Sequence, residues 1–402
     1  MSSRRLAALP PYLVAELAAR AAELRRQGRD VINLSVGSPD LPPDPRVIEA
    51  ARGALEDGRL HGYALGRGLP AFRRAAADYL ARRFGVTLDP DRQVLALLGS
   101  KEGLGHLPFA LGDPGELAVY PDPGYPVYRP ALQLAGLVPV ALPHDPERGW
   151  TPRWDRLEEA LERAGREGPS GRLRLVILNY PHNPTSATLE VAGFDRAVRW
   201  ARSRGAVLVN DNAYADIGFD GYRPPSLLQA PEAAQGTAGS GVVEFHSMSK
   251  TFSMAGWRCA FAAGDPEVLD ALARTKNYYD TGIFAPLQVG AARALELAEE
   301  IAPQVSARYR ARRDVLRAAL EPLGLEARIP SATIYLWARL PEAAGEDAAW
   351  CGRVLEETYV ALSQGSAYGE RGRGYVRFAL TEPEERLTEV VRRLHALAGR
   401  RP

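Results

Sequence analysis

Short apolar runs recur through the first two-thirds of the chain, at 94–98, 117–120, 175–178, 207–209 and 242–245. Each gives way at once to Gly, Pro, Asn or His. Runs this short and rich in Val and Leu read as buried strands. Between them, stretches such as 102–110, 154–164 and 194–203 carry apolar residues at helical spacing. Strands alternating with helices predict a mostly parallel sheet covered on both faces. The texture changes near residue 284. Residues 285–320 read as one long or broken helix, strand-like runs follow at 333–338 and 375–380, and helical patterns occupy 346–359 and 384–398. The predicted fold class is therefore α/β: a large domain over 46–285, then an interdomain helix and a smaller α+β domain over 286–402. Residues 1–45 are expected to pack with the small domain. The stretch 230–240 reads as a surface loop, and no internal repeat is visible.

Composition narrows the function classes. A chain of 402 residues is long enough for two cores. Its formal net charge of +1 gives no global electrostatic case for nucleic acid or a membrane surface. No apolar run approaches a bilayer span. The N-terminus is basic and then amphipathic, without the apolar core and cleavage site of a signal peptide, so a cytoplasmic location is expected. Cys259 and Cys351 form neither a disulfide framework nor a metal-like cluster, and read as buried small hydrophobes. Lysine occurs only at 101, 250 and 276, so chemistry needing an amine has three places to reside.

Ligands on open α/β sheets collect beyond the C-terminal ends of the strands. After 94–98 comes Gly99-Ser100-Lys101-Glu102-Gly103, a glycine turn opening a helix and hence an anion site, although many such turns contain glycine. After 117–120 comes Pro121-Asp122-Pro123-Gly124-Tyr125-Pro126, where Tyr125 either stacks on a planar group or caps a core. After 175–178 comes Asn179-Tyr180-Pro181-His182-Asn183-Pro184-Thr185, a closely specified loop suited to a cis peptide. After 207–209 comes Asn210-Asp211-Asn212-Ala213-Tyr214. A carboxylate here needs a cationic partner or serves as a helix N-cap. After 242–245 comes His246-Ser247-Met248-Ser249-Lys250-Thr251, with Arg258 eight residues on. A lysine so placed is desolvated and made nucleophilic. Lys276, among Arg274, Asn277 and Tyr278, reads as helix surface. Arg377 interrupts an apolar strand and points away from Val376 and Phe378, which suits either carboxylate binding or a structural salt bridge.

In order and spacing, INLSVGSPDLP, GYALGRGLPAFRRA, GSKEGL, PDPGYP, NYPHNPT, NDNAY and HSMSKTFSMAGWR resemble the class I/II pyridoxal-phosphate (PLP) aminotransferases over nearly the whole chain. The nearest motifs are those of the LL-diaminopimelate branch. The resemblance implies the aspartate aminotransferase fold, with a seven-stranded sheet. It implies that Lys250 is the Schiff-base lysine and proton shuttle, and that Asp211 holds the pyridine nitrogen protonated. It gives Asn183 and Tyr214 as donors to the ring's phenolic oxygen, and Tyr125 as the stacked aromatic. Ser100, Lys101, Ser247, Ser249 and Arg258 become the phosphate cup. Arg377, Gly37 and Asn183 become the substrate contacts, with no metal. Tyr63 would reach the phosphate of a neighbouring subunit, implying a homodimer with shared sites. The implied reaction is ping-pong transfer of an amino group from an L-amino acid to a 2-oxo acid. Candidate substrates are LL-diaminopimelate, N-succinyl-diaminopimelate, aspartate, alanine and glutamate/2-oxoglutarate, selected by loops at 12–17, 41–45 and 363–368. His182, Ser253 and Ser363-Gln364-Gly365 depart from the branch's usual residues.

Three other readings compete. A PLP-dependent Cβ–S lyase uses the same fold and cofactor residues. A PLP-sensing regulator needs a DNA-binding module, for which there is no room before the motifs begin near Ile32. A nicotinamide enzyme is suggested by Gly66-Arg67-Gly68-Leu69-Pro70-Ala71, but no buried strand precedes it and no acidic residue follows at the expected place.

Overall fold

The computed structural model describes residues 3–9, 13–64, 66–167 and 171–399. Its main sheet has eight strands in the order Val94–Leu97, Ala260–Gly264, Val242–Ser247, Val207–Asn212, Leu173–Leu178, Leu117–Asp122, Val138–Asp145 and Thr151–Pro152. The five strands from Val242–Ser247 to Val138–Asp145 run parallel. Ala260–Gly264 is antiparallel to both its neighbours, and Thr151–Pro152 pairs antiparallel at the far edge. Seven strands form the body, and the eighth is this two-residue addition. The Val138–Asp145 strand is not among the apolar runs at all. Its prolines and its half-covered position near the edge leave no continuous apolar run.

Alternation along each central strand builds two cores, one on either face. Leu175 and Ile177 join Leu104, Leu107 and Leu269 on one side. Val176 and Leu178 join Phe72, Phe194 and Phe261 on the other. Helices Ser100–Leu111 and Pro266–Tyr279 cover the first face. Both faces of every central strand are dry, which is why the sequence reads as near-continuous apolar runs.

The second sheet is antiparallel, in the order Glu326–Ala327, Tyr335–Arg339, Tyr375–Ala379, Ser363–Gln364. The expected long helix is broken at Leu297 into Ala285–Glu296 and Ala298–Arg317. Ile32–Asn33 pairs with Val360–Ala361, so the start of the chain joins its end. Residues 231–236 form a 3-10 helix whose Ala233 and Gly236 are buried, so the expected surface loop is partly packed.

Lys276 is a correction. It is only 3% exposed, with Nζ 2.8 Å from Glu102 and 3.2 Å from Asp280. Its helix packs on Ser100–Leu111. Two carboxylates replace the water that a surface lysine would keep.

Candidate active site

The strand ends converge on a cavity of ≈ 500 Å³ whose wall includes Lys250, Asp211, Tyr214, Asn183 and Arg377. Gly37, Ser100, Lys101, Tyr125, Ser247, Ser249 and Arg258 complete the expected set in the same wall. Tyr63 is not in it. That side chain is 82% exposed.

Asp211 sits inside the strand Val207–Asn212, not at a helix start, so the N-cap explanation fails. Tyr128 donates to its Oδ2 at 2.8 Å, while Oδ1 is buried with no partner. Burial pushes its pKa up to about 6, against the Tyr128 hydrogen bond and the fields of His246 and Lys250. A buried carboxylate oxygen left open toward a cavity calls for a cationic N–H. A protonated pyridine nitrogen supplies one, and that is the test PLP passes here.

A second feature fits the cofactor's phosphate. Gly99 has φ +79° and opens the Ser100–Leu111 helix. A Cβ on Gly99 would overlap the Arg258 guanidinium. Glycine thus permits both the left-handed turn and the approach of a cation to a helix N-terminus. Glu102 closes the turn from behind, accepting from Leu98 N–H at 2.9 Å. Ser247 and Ser249 face this cup, with Ser249 N–H bonded to Ser247 Oγ at 3.2 Å.

Lys250 shares the cavity wall with these residues and with Asp211. Its Nζ donates to the Gly37 carbonyl. Burial lowers its pKa; Tyr335 and Asp211 oppose that shift, while Arg377 and Arg258 add to it. The amine is thereby brought toward the neutral form that nucleophilic attack needs.

Arg377 is buried on the strand Tyr375–Ala379. Its Nη1 donates to Asn183 Oδ1 at 2.8 Å and its Nη2 to the Ser35 carbonyl at 2.7 Å. Among the described residues no carboxylate pairs with it, which goes against the salt-bridge alternative, and Nε has no partner. The guanidinium lies over the Tyr335 ring at 4.0 Å and the Tyr368 ring at 4.8 Å. A buried cation held by neutral groups is poised for an anion.

In the NYPHNPT loop the Tyr180–Pro181 and Asn183–Pro184 bonds are cis, as is Asp122–Pro123. His182 is wholly buried, bonded to Thr185 at 2.7 Å and edge-on to His144. Burial lowers its pKa well below the ordinary value, so it is a neutral packing group.

Tyr128, Tyr335, Asn179 and Ser35 also line the cavity without having been singled out from the sequence, and Tyr368 enters it from the expected loop 363–368. Tyr128 opens the helix Tyr128–Leu134 just after the PDPGYP loop, and its ring meets that of Tyr125 edge to face at 5.6 Å, so its place directly after that motif was the one signal. Tyr335 gave none, because its strand is uniformly apolar. Tyr12, from the expected specificity loops, lies outside the described residues.

Fold and cavity together are those of a pyridoxal 5'-phosphate enzyme. The Aminotransferase class I and II family model matches residues 29–394, and the chain belongs to that family. It is a PLP-dependent aminotransferase, acting on amino acids and 2-oxo acids. Its sequence is 41% identical over 401 residues to the LL-diaminopimelate aminotransferase of Desulforudis audaxviator, covering 100% of this chain and 98% of that one. Among solved structures it resembles a probable N-succinyldiaminopimelate aminotransferase from Thermus thermophilus. That match is 36% identical with TM-score 0.85, over 96% of this chain and 98% of that one. A mutant aspartate aminotransferase from the same organism matches at 29% identity and TM-score 0.87, over 99% of each chain, and the fold is the aspartate aminotransferase fold.

Proposed function

We propose that the amino donor is LL-diaminopimelate and the acceptor a 2-oxo acid such as 2-oxoglutarate, exchanged in ping-pong fashion. The observation that carries this is the likeness to an enzyme of that name along the entire chain. In this reading Arg377 takes the substrate α-carboxylate as a planar fork, with Asn183 and Gly37 beside it. Bound PLP supplies an electron sink for the charge left on the substrate Cα. Lys250 Nζ would hold the cofactor and serve as the base and acid for the substrate Cα proton. Asp211 Oδ1 would accept the ring N–H, Asn183 and Tyr214 would donate to the ring's phenolic oxygen, and Tyr125 would pack against the ring. Ser100, Lys101, Ser247, Ser249 and Arg258 hold the phosphate. A second reading, N-succinyl-diaminopimelate, is favoured by the Thermus structure.

The test is a half-reaction screen of cofactor absorbance with single amino acids. LL-diaminopimelate is expected to convert the cofactor to its amine form at the lowest concentration. Faster conversion by N-succinyl-diaminopimelate, aspartate or alanine overturns the substrate assignment. Release of ammonia and pyruvate without a 2-oxo acid would instead favour the Cβ–S lyase alternative.

The enzyme is further read as a homodimer in which Tyr63 serves the partner's site. The exposure of Tyr63, Tyr278, Tyr279 and Phe284 supports this. The domains are taken as 46–285 and 286–402, with 1–45 packing on the latter. The Ile32–Val360 pairing and the Arg20–Glu356 ion pair support that division. Two buried free thiols, Cys259 and Cys351, suit the cytoplasm.

A further inference from the structure

Building on that reading of the site, we propose that Tyr335 is a positioning residue whose hydroxyl donates to Tyr214. The Tyr214 proton is then left to the cofactor's phenolic oxygen, and the pair sets the pH at which the Lys250-bound cofactor loses its proton.

The two hydroxyl oxygens lie 3.0 Å apart, and the rings meet edge to face at 5.7 Å. Both residues are buried. Only one proton can lie between two such oxygens. The phenol that gives it has nothing further to donate, while the phenol that accepts it keeps its own proton for a third group. The choice between them is electrostatic. The Arg377 guanidinium stands 4.0 Å over the Tyr335 ring, and Lys250 shares the same wall. Burial by itself would raise the Tyr335 phenol; these two cations and Tyr214 outweigh it and bring Tyr335 below its usual value. Tyr214 moves the other way, raised by burial and by its neighbour Tyr335. The more acidic partner is the donor, so Tyr335 gives and Tyr214 retains a free proton facing the cavity.

Several contacts fix Tyr335 in this place. Ser186 Oγ donates to its carbonyl at 2.9 Å, and its N–H is held by Thr333 Oγ1 at 3.2 Å. A Cβ on Gly37 would overlap the Tyr335 hydroxyl, so glycine there makes room for it. The same glycine's carbonyl accepts from Lys250 Nζ. Tyr335, Gly37, Lys250 and Tyr214 thus form one connected group.

A phenol that accepts a hydrogen bond becomes a stronger donor with its own proton. Tyr214 then draws more charge from the cofactor's phenolic oxygen. That oxygen holds the proton it shares with the Lys250 nitrogen less tightly, and the proton leaves at lower pH. Removing the Tyr335 hydroxyl reverses this.

The experiment is an absorbance titration against pH of the cofactor-loaded wild type, Tyr335→Phe, Tyr214→Phe and the double variant. Tyr335→Phe is expected to raise the midpoint by about 0.5–1 pH unit, the scale of one modest hydrogen bond. In the Tyr214→Phe background the same substitution is expected to move it no further. An unchanged midpoint in Tyr335→Phe overturns the proposal, as does an equal shift with and without Tyr214. Replacing Tyr335 by 3-fluorotyrosine keeps the shape and makes a more acidic donor. It must lower the midpoint, and it decides the matter should the phenylalanine variant fail to load cofactor. A wild type with no titrating band rejects the reading of the site itself, a different failure from that of Tyr335.

Discussion

Asp211 is a carboxyl whose surroundings are complete only when a cation faces its open oxygen. In the cofactor-free protein burial raises its pKa from 3.8 to about 6. A folded pKa above the unfolded one means that the folded state binds the proton more tightly. The stability this confers is present below pH ~4 and is lost as pH rises through about 6. Asparagine at 211 carries no such charge. Urea unfolding of the apoprotein should therefore show the wild type losing up to ~3 kcal/mol relative to Asp211→Asn between pH 4 and pH 7. A constant difference across that range would mean that Asp211 is not desolvated. Loaded with cofactor, the wild type should lose this pH dependence, because the ring N–H compensates the charge.

The Ser100–Leu111 helix draws its site function from what stands behind it. Glu102 caps the turn through Leu98 N–H and is tied to Lys276 at 2.8 Å, while His106 reaches the same carboxylate at 2.7 Å. The helix that brings Ser100 and Lys101 to the cavity is thereby locked to Pro266–Tyr279. Lys276→Met leaves Glu102 and Asp280 short of a cation. It should cost ~3 kcal/mol in urea unfolding, within the range for breaking a buried pair. It should also speed cofactor loss on dialysis. Adding Glu102→Gln should recover part of the stability, since one of the two stranded charges is gone. Wild-type stability in Lys276→Met would mean that the cluster is solvated.

At the scale of the whole molecule, the wall around Lys250 draws on both sheets. Tyr335 and Arg377 come from the antiparallel sheet, while Asp211, Asn183 and Lys250 come from the ends of the large one. Tyr63 stands apart on the surface. If it serves a partner's site, Lys250→Ala and Tyr63→Ala proteins, each nearly inactive, should complement when refolded together. A statistical mixture of dimers then has about a quarter of wild-type activity, since half are hybrids with one intact site. No recovery would remove Tyr63 from the shared site. Among the described residues no helix is long and apolar enough to cross a membrane.

The sequence alone determined the alternation of central strands and helices, though not the Val138–Asp145 strand near the edge, because strands buried on both faces must be apolar throughout and must break where the chain leaves the core. It also marked the polar residues at each break, since ligand groups belong where such strands end. Motif order pointed to the cofactor, and Lys250 was singled out because only this one of three lysines follows a buried strand with two serines before it and an arginine eight residues after. The tertiary structure decided what depends on contact between distant segments. Lys276 became buried because its helix packs on a helix 174 residues away that supplies Glu102, while Asp280 comes from the end of its own helix. Tyr128 and Tyr335 entered the site because packing turned them inward, and an apolar pattern carries no sign of which aromatic has a useful hydroxyl. The Arg377 fork found Asn183 and Ser35 rather than an acid, which no local spacing encodes. Burial and electric field belong to the assembled molecule, and they set the protonation of Asp211, Lys250 and the tyrosine pair on which the chemistry rests.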